Sequence, residues 1–432
     1  MSEPRWKTFN YAVGMFGTSI PINMLKTYAA IYYVDTLGLT TLQFASILSI
    51  YTFIDAIDNP VYGFLSDRTR TRWGRRRPWL VLSTPLLVLS FIMFYSPPTA
   101  AAASFLFAYC MFFYIFTGTL DSVVNANYGA LFPELFRTDA ARAATNALRQ
   151  AFQLVAMIIS IALTPVVTSA LGYQLTAILY GLLGGAVILY MALTSREVPM
   201  DEIQVKPQLW DSLKSLAKNR KFWIAGFANA FYSAAMALVL ASMPFFVKYT
   251  LAIPDSQATI LFASVLLIAI ACVAVWSRLV RRFTLIPVWR AALIVLAAAF
   301  VPLFFANSLP TAAAGSALVG FGFAGVITTM DLIGAKIMDE DTRKYGVRRE
   351  GIISNALGFM NRLNGLFTGA AFSLVFILFG FESGANPGPQ PDNAARFLLT
   401  VFPMVLMVIS FIFSFFIDFP ETEPAPARLE TA

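Results

Sequence analysis

The sequence predicts an all-α membrane protein of twelve transmembrane helices in two six-helix bundles, with both termini cytoplasmic. Composition is the first reason: of 432 residues, 58% are hydrophobic and 13% charged, where a soluble domain carries about 25% charged residues. Mean hydropathy is +0.68. The second is a series of continuous apolar runs, each long enough for a hydrocarbon core of about 30 Å. They lie at 11–33, 41–66, 78–96, 101–131, 146–170, 173–193, 222–247, 256–276, 286–306, 311–335, 351–380 and 395–418, and are numbered α1 to α12 in chain order. A membrane β-barrel would instead show short alternating segments, so the backbone must satisfy its hydrogen bonds within helices. The third is charge placement. Lys and Arg collect in every second connection, at 68–77, Arg137/Arg142, 196–221, 278–282 and 343–349, and are missing from 35–40, 97–100, 170–173 and 306–311. By the positive-inside rule the basic side is cytoplasmic.

Each element follows from this frame. The polar start MSEPRWK is followed by a run long enough to span, without a small-residue cleavage pattern, so α1 is retained as a helix. The longest polar interval, 194–221, divides the chain into an N-terminal bundle (1–193) and a C-terminal bundle (222–418). Within it PQLWDSLKSLAK places apolar residues at helical spacing between lysines, which predicts a short amphipathic helix on the cytoplasmic interface. The tail, 419–432, reads as disordered. Two related bundles on a cytoplasmic linker match transporters with a solute site near the membrane midplane. Cys110 and Cys272 lie in different helices far apart in sequence and read as small core residues. With no histidine in the chain, any protonatable group in the membrane must be a carboxylate. The +7 charge is topological, and nucleic acid is not an expected partner.

The stretch FIDAIDNPVYGFLSDRTRTRWGRRRPW, residues 53–79, carries the chemistry. A carboxylate at the depth of Asp55 costs at least about 2.5 kcal/mol, so it must face protein or water. Asp55, Asp58, Asn59 and Tyr62 stand at i, i+3, i+4 and i+7, one stripe of α2. On α4, Asp121 and Asn125 stand at i and i+4, with Ser122 and Asn127 nearby. Oxygen ligands from two helices suit a hard monovalent cation, and a carboxylate in a dry cavity can instead hold a proton, which leaves Na+, Li+ and H+ open. The bland reading is that these acids pair with Lys26, Arg149, Lys336 or Arg362 to hold helices together; ionisable residues inside a membrane are nevertheless functional by default. Arg362, in the second half, would meet the acids across the central cleft, where its fork suits a carboxylate or an anionic solute. Arg149 is shallower, and snorkelling explains it as well. Asp67 with Arg68, Arg75, Arg76 and Arg77 reads as a gate that pairs with acids at helix ends in one conformation and releases them in another.

The first of these motifs resembles the signature of the glycoside-pentoside-hexuronide:cation symporters, a branch of the major facilitator superfamily that includes the melibiose permeases. YGALFPELFRTDAARAATNALRQAF (128–152) and DEDTRKYGVRREGIISNALGFMNR (339–362) agree with it. The resemblance implies the major facilitator fold, a multi-pass place in the cell inner (plasma) membrane, and cation-coupled symport of a small-molecule solute. It implies a cation site of Asp55, Asp58, Asn59, Asp121, Ser122 and Asn125, and a solute site with Ser19, Arg149 and Arg362, to which the intramembrane base Lys26 is added as a candidate from the sequence itself. The coupling ion is then Na+ or H+ and no other cofactor is expected; the partners are the solute and membrane lipids, and the protein is a monomer.

The chain also departs from the family pattern. The second acid of the α2 motif is Asn59, and a shared α4 acid corresponds to Asn125, with Asp121 one turn away. Ser19 replaces an acidic sugar clamp, Gly129 and Ile327 replace cavity tryptophans, and Lys336 replaces an acid. Fewer acids beside retained bases shift the expected solute from a neutral galactoside towards a hexuronide, or an amphiphile with an anionic head such as a lysophospholipid. An uncoupled facilitator is the other alternative. An enzyme is the least expected class, since no catalytic motif is present, and a sensor or scaffold would call for a further soluble domain.

Overall fold

The computed structural model describes residues 5–98, 102–136, 139–195, 219–345, 358, 360–382, 384 and 387–418, and places helix at each of the twelve apolar runs. Helix α1 runs as Arg5–Ala12 and Gly14–Ala30 and ends in a π-helical turn, Ile31–Thr36. Then come α2, Thr41–Arg68, α3, Arg77–Phe94, and α4, Ala103–Leu135. Helix α5 starts at Asp139 and passes through a π turn, Ile158–Ala162. The next helix, Thr164–Thr194, is broken at Gly172 (φ 76°), so its first turns complete α5 and the rest is α6. In the second half α7 is Arg220–Phe245 with the π turn Phe246–Thr250, α8 is Ala258–Phe283, α9 is Leu285–Phe304 and α10 is Leu309–Tyr345. Helix α11 is Asn364–Phe379, and α12 joins Pro391–Arg396, the π turn Phe397–Val401 and Phe402–Ser414.

Three bounds differ from expectation. Helices α1 and α5 begin about two turns early and α10 extends ten residues further, to Tyr345. The extensions are polar, so hydropathy ends at the membrane while the backbone continues to hydrogen-bond beyond it. The expected amphipathic helix, 207–218, and the tail, 419–432, both lie outside the described residues. Both cysteines are free, Cys110 fully buried.

Among the described residues nine helices are long and apolar enough to cross a membrane by length and composition. Helices α1, α2 and the main part of α5 fall short because they carry Lys26, Asp55, Asp58 and Arg149.

Packing repeats between the halves. Helix α1 packs on α5 and α6, α2 on α4, and α3 on α4 and α6; correspondingly α7 packs on α11 and α12, α8 on α10, and α9 on α10 and α12. Side chains repeat as well. Arg77 at the start of α3 donates to the carbonyls of Ala192 (2.8 Å) and Leu193 (2.9 Å) at the end of α6, and Arg290 of α9 donates to those of Ser414 (3.3 Å), the last residue of α12, and Ile417 (3.1 Å) just after it. Each places a cation on the negative end of a helix dipole.

Between the halves, α2 meets α11, the π turn of α5 meets α8, and α1 meets α7. The α2–α11 seam is built on small residues: a Cβ on Gly369 would press on the Ala45 carbonyl at 3.0 Å, and one on Gly365 would lie 3.5 Å from the Leu48 carbonyl. This Gly-x-x-x-Gly spacing lets two helices approach closely, as in membrane helix pairs generally. Beyond it, Thr41 Oγ1 donates to the Phe381 carbonyl at 2.8 Å. These contacts join the two halves at the end of α2 opposite the arginine loop.

Candidate functional site

One turn deeper than Gly365 the seam ends in charge. Asp55 of α2 is 9% exposed and accepts from three directions: Arg362 Nη1 of α11 at 2.5 Å, Ser122 Oγ of α4 at 3.0 Å, and Tyr51 Oη one turn back at 3.4 Å. Arg362 also donates to the Asp55 backbone carbonyl at 3.1 Å. The helix register explains this meeting. Positions 45, 49, 52 and 55 form one stripe of α2, and 369, 365 and 362 form the facing stripe of antiparallel α11. The acid and the base of the sequence reading thus join the two halves.

The other acids lie beside this pair. Asp58 Oδ2 accepts from Thr119 Oγ1 of α4 at 2.8 Å, and Asp121 Oδ1 accepts from Asn125 Nδ2 at 2.7 Å. Asp58 and Asp121 are buried like Asp55, and Asp121 interacts electrostatically with Lys26, Asp55 and Arg362. Each of these carboxylates thus has its own polar partner on α4, and among the described residues no group of three or more acids stands close enough to hold a metal ion. Asn127 stands apart, fully buried and donating to the Val123 carbonyl of its own helix at 2.8 Å. The side chains of Asn59 and Asp67 lie outside the described residues.

The expected solute residues divide into two groups. Lys26 is exposed although its neighbours Leu25 (1%) and Thr27 (0%) are buried, so it faces open space. Ser19, two turns back on α1, is buried. Asn23 Nδ2 of the same helix has no hydrogen-bond partner among the described residues. Arg149 is elsewhere: its guanidinium lies 5.0 Å from the ring centres of Tyr128 and Phe132 and 5.8 Å from that of Tyr11, in cation–π range. Tyr11 and Tyr128 stack at 4.7 Å, and the Tyr11 hydroxyl donates to the Tyr128 carbonyl at 2.7 Å. Arg149 Nε has no acceptor among the described residues. At the positions of the family's cavity tryptophans, a Cβ on Gly129 would meet nothing within 4 Å and Ile327 is 41% exposed. Lys336 is exposed.

Sequence reasoning missed Tyr51, Thr119, Tyr11, Tyr128 and Phe132. A signal existed for the last two, because Asp121, Asn125, Tyr128 and Phe132 stand at i, i+4, i+7 and i+11 on one stripe of α4. Aromatic residues in an apolar helix look like core until a base is seen among them.

The arginine loop is tied to helix ends of its own half. Arg75 Nη2 pairs with Glu134 at the end of α4 (2.9 Å), Arg76 donates to Ser66 Oγ near the end of α2 (2.5 Å) and lies 3.6 Å from Glu134, and Arg77 binds the end of α6. Arg68 is exposed.

Comparison with known proteins fits these observations. A family model described as MFS/sugar transport protein matches residues 10–421. The chain is 25% identical to an isoprimeverose transporter of Lactiplantibacillus pentosus, over 98% of this chain and 90% of the relative. It is 22% identical to a glucuronide carrier protein homolog of Escherichia coli (strain K12), over 95% of this chain and 92% of the relative. The crystal structure of the nucleoside transporter NupG superposes with a TM-score of 0.72 at 11% identity, covering 95% of this chain and all of that one, which shows the shared fold. The molecule is a transporter of a small-molecule solute, not an enzyme, and a multi-pass protein of the cell inner membrane. With its helical repeat and its acids on α2 and α4, the chain belongs to the MFS/sugar transport protein family, the glycoside-pentoside-hexuronide:cation symporter branch of the major facilitator superfamily.

Proposed function

We propose that the chain is a cation-coupled symporter, driven by Na+ or H+, of a glycoside or hexuronide-like solute, working by alternating access with both termini in the cytoplasm. The observation that carries this reading is the Asp55–Arg362 pair, in which a carboxylate of the first half is neutralised by a guanidinium of the second. A cation or proton arriving at Asp55 competes with Arg362, so ion binding loosens a tie between the halves and frees a base for the solute. Asp121, Asp58, Ser122 and Asn125 supply further oxygens, and Asn59 completes the α2 stripe. Lys26 and, among the described residues, the unpartnered Asn23 Nδ2 and Arg149 Nε are donors, and the positive charge of Lys26 and Arg149 favours an anionic solute over a neutral galactoside. The resemblance to a glucuronide carrier homolog points the same way. The ties of Arg75 and Arg76 to the ends of α2 and α4 belong to a cytoplasmic gate in this reading.

Thermal unfolding of the detergent-purified protein tests it, with neutral glycosides, glucuronides and lysophospholipids each compared in Na+ and in choline buffer. A ligand specific to the folded state adds about 2.7 kcal/mol at 100 times its Kd. Stabilisation by a glucuronide that is larger in Na+, or in acid if the proton couples, is the expected result. Stabilisation by lysophospholipids alone would make the solute an anionic amphiphile. A glycoside that stabilises equally at every ion composition would make the protein an uncoupled facilitator, in which Arg362 merely neutralises Asp55.

A further inference from the structure

We propose that Asp35, Lys248 and Tyr249 form a latch between the two halves at the mouth opposite the arginine loop, and that solute reaches the site from that side only when the latch opens. Asp35 ends α1 and is buried, at 8% exposure. Its two carboxylate oxygens are taken by the second half: Lys248 Nζ donates to Oδ2 and the Tyr249 hydroxyl to Oδ1. The backbone N–H of Gly384, between α11 and α12, lies 3.4 Å from Oδ1 and 3.3 Å from the Tyr249 hydroxyl. One carboxylate thus gathers α1, α7 and the α11–α12 connection.

The position is set by the internal repeat. Helices α1 and α7 both finish in a π turn followed by the same pair of backbone bonds: Leu37 N–H to the Tyr32 carbonyl and Leu39 N–H to Tyr33, against Leu251 N–H to Phe246 and Ile253 N–H to Val247. In that register Asp35 corresponds to Tyr249, and Gly38 (φ 81°) to Ala252 (φ 51°). The acid of one copy therefore faces the hydroxyl of the other, at the end of the molecule far from the central site, and halves that rock around that site change their separation most at such an end. The Tyr249 ring packs edge-on against Phe381 at 5.4 Å, beside the Thr41–Phe381 bond that closes the α2–α11 seam. Opening returns a carboxylate and an ammonium to water, so the rehydration of both offsets much of the lost attraction. A charge pair at this place can hold one conformation without trapping it.

The latch is separate from the solute and ion site, and its test needs neither solute nor ion. In a protein with Cys110→Ala and Cys272→Ala, a reporter Ala45→Cys is placed in the α2–α11 seam, where residue 45 is 3% exposed. The rate of its alkylation by a maleimide is read on purified protein in detergent. Asp35→Asn is expected to raise that rate at least fivefold and Tyr249→Phe about twofold to threefold, the latter keeping the ring on Phe381. Asp35→Lys alone should also raise it, and Asp35→Lys combined with Lys248→Asp should bring it back towards the parent value. Unchanged alkylation in both Asp35→Asn and Tyr249→Phe, or a charge exchange as fast as Asp35→Lys alone, would overturn the proposal. Tyr249→Phe decides the matter by itself if Asp35→Asn does not fold.

Discussion

At the scale of single residues, Asp55 is the acid of the first half that pairs with the base Arg362 of the second. Two of its partners are neutral hydroxyls and the third is a cation held at 2.5 Å. Asp55→Asn keeps shape and keeps an acceptor for Ser122, but leaves Arg362 without its counter-charge. Breaking a fully buried pair this way costs about 3–5 kcal/mol. The Arg362 side chain is 30% exposed, so solvation recovers part of this and about 1–3 kcal/mol is expected. The variant should therefore purify folded with a lowered Tm, and its stabilisation by Na+ or by acid should vanish; retention of that stabilisation would remove Asp55 from the ion site. Arg149 makes a different case. Its flat guanidinium lies among three aromatic rings, and a lysine cannot reproduce that stacking. Arg149→Lys should weaken solute-dependent stabilisation about as much as Arg149→Ala does, whereas a residue serving only as a snorkelling charge would tolerate lysine.

At the scale of elements, the closeness of α2 and α11 rests on Gly365 and Gly369. Gly365→Val would drive two methyl groups into Thr52 and the Leu48 turn, and overpacking of this kind costs about 1–3 kcal/mol. A fall in Tm together with faster alkylation of Ala45→Cys is expected; a fall without it would mean that the halves stay together and the strain is absorbed elsewhere. At the end of α7, Ala252 holds a left-handed conformation that costs a residue with a Cβ about 1–2 kcal/mol. Ala252→Gly should therefore be neutral or raise the Tm slightly, the relief being reduced by the greater freedom of glycine in the unfolded chain. These elements also mark how far the sequence could be read. The twelve runs were legible because hydrocarbon imposes a length and excludes charge, and Asp55 and Arg362 were legible because they break that exclusion. Asp35 was not, since an acid at a helix end costs little and shows no pattern until α7 is placed beside it. The π turns at 31–36, 158–162, 246–250 and 397–401 were equally hidden, because one extra residue per turn leaves no compositional trace.

At the scale of the whole molecule, the ties sort by whether they cross between the halves. Arg77 and Arg290 each bind helix ends within one half, while Asp55–Arg362, Asp35–Lys248 and Thr41–Phe381 cross. In the alternating-access cycle proposed above, such a distribution would let each half move as a unit, with the crossing ties made and broken as the solute site changes sides. It also separates two arginines that look alike in sequence. Arg290→Ala removes hydrogen bonds to the carbonyls of Ser414 and Ile417 and a contact with Phe415 at 4.8 Å, so it should lower the Tm by the same amount with and without the coupling ion. Arg362→Ala should lower the Tm of the ion-free protein and, by removing the guanidinium that competes for Asp55, increase the stabilisation that Na+ or acid provides. The stabilisation follows RT ln(1 + [L]/Kd), so each tenfold gain in ion affinity adds about 1.4 kcal/mol at saturating ion. Unfolding curves across an ion titration measure both variants. A reduced ion response in Arg362→Ala would show that the guanidinium assists ion binding rather than competing with it. The cross-bundle pair would then stay closed when the ion binds, and coupling between ion and solute would have to pass through α4.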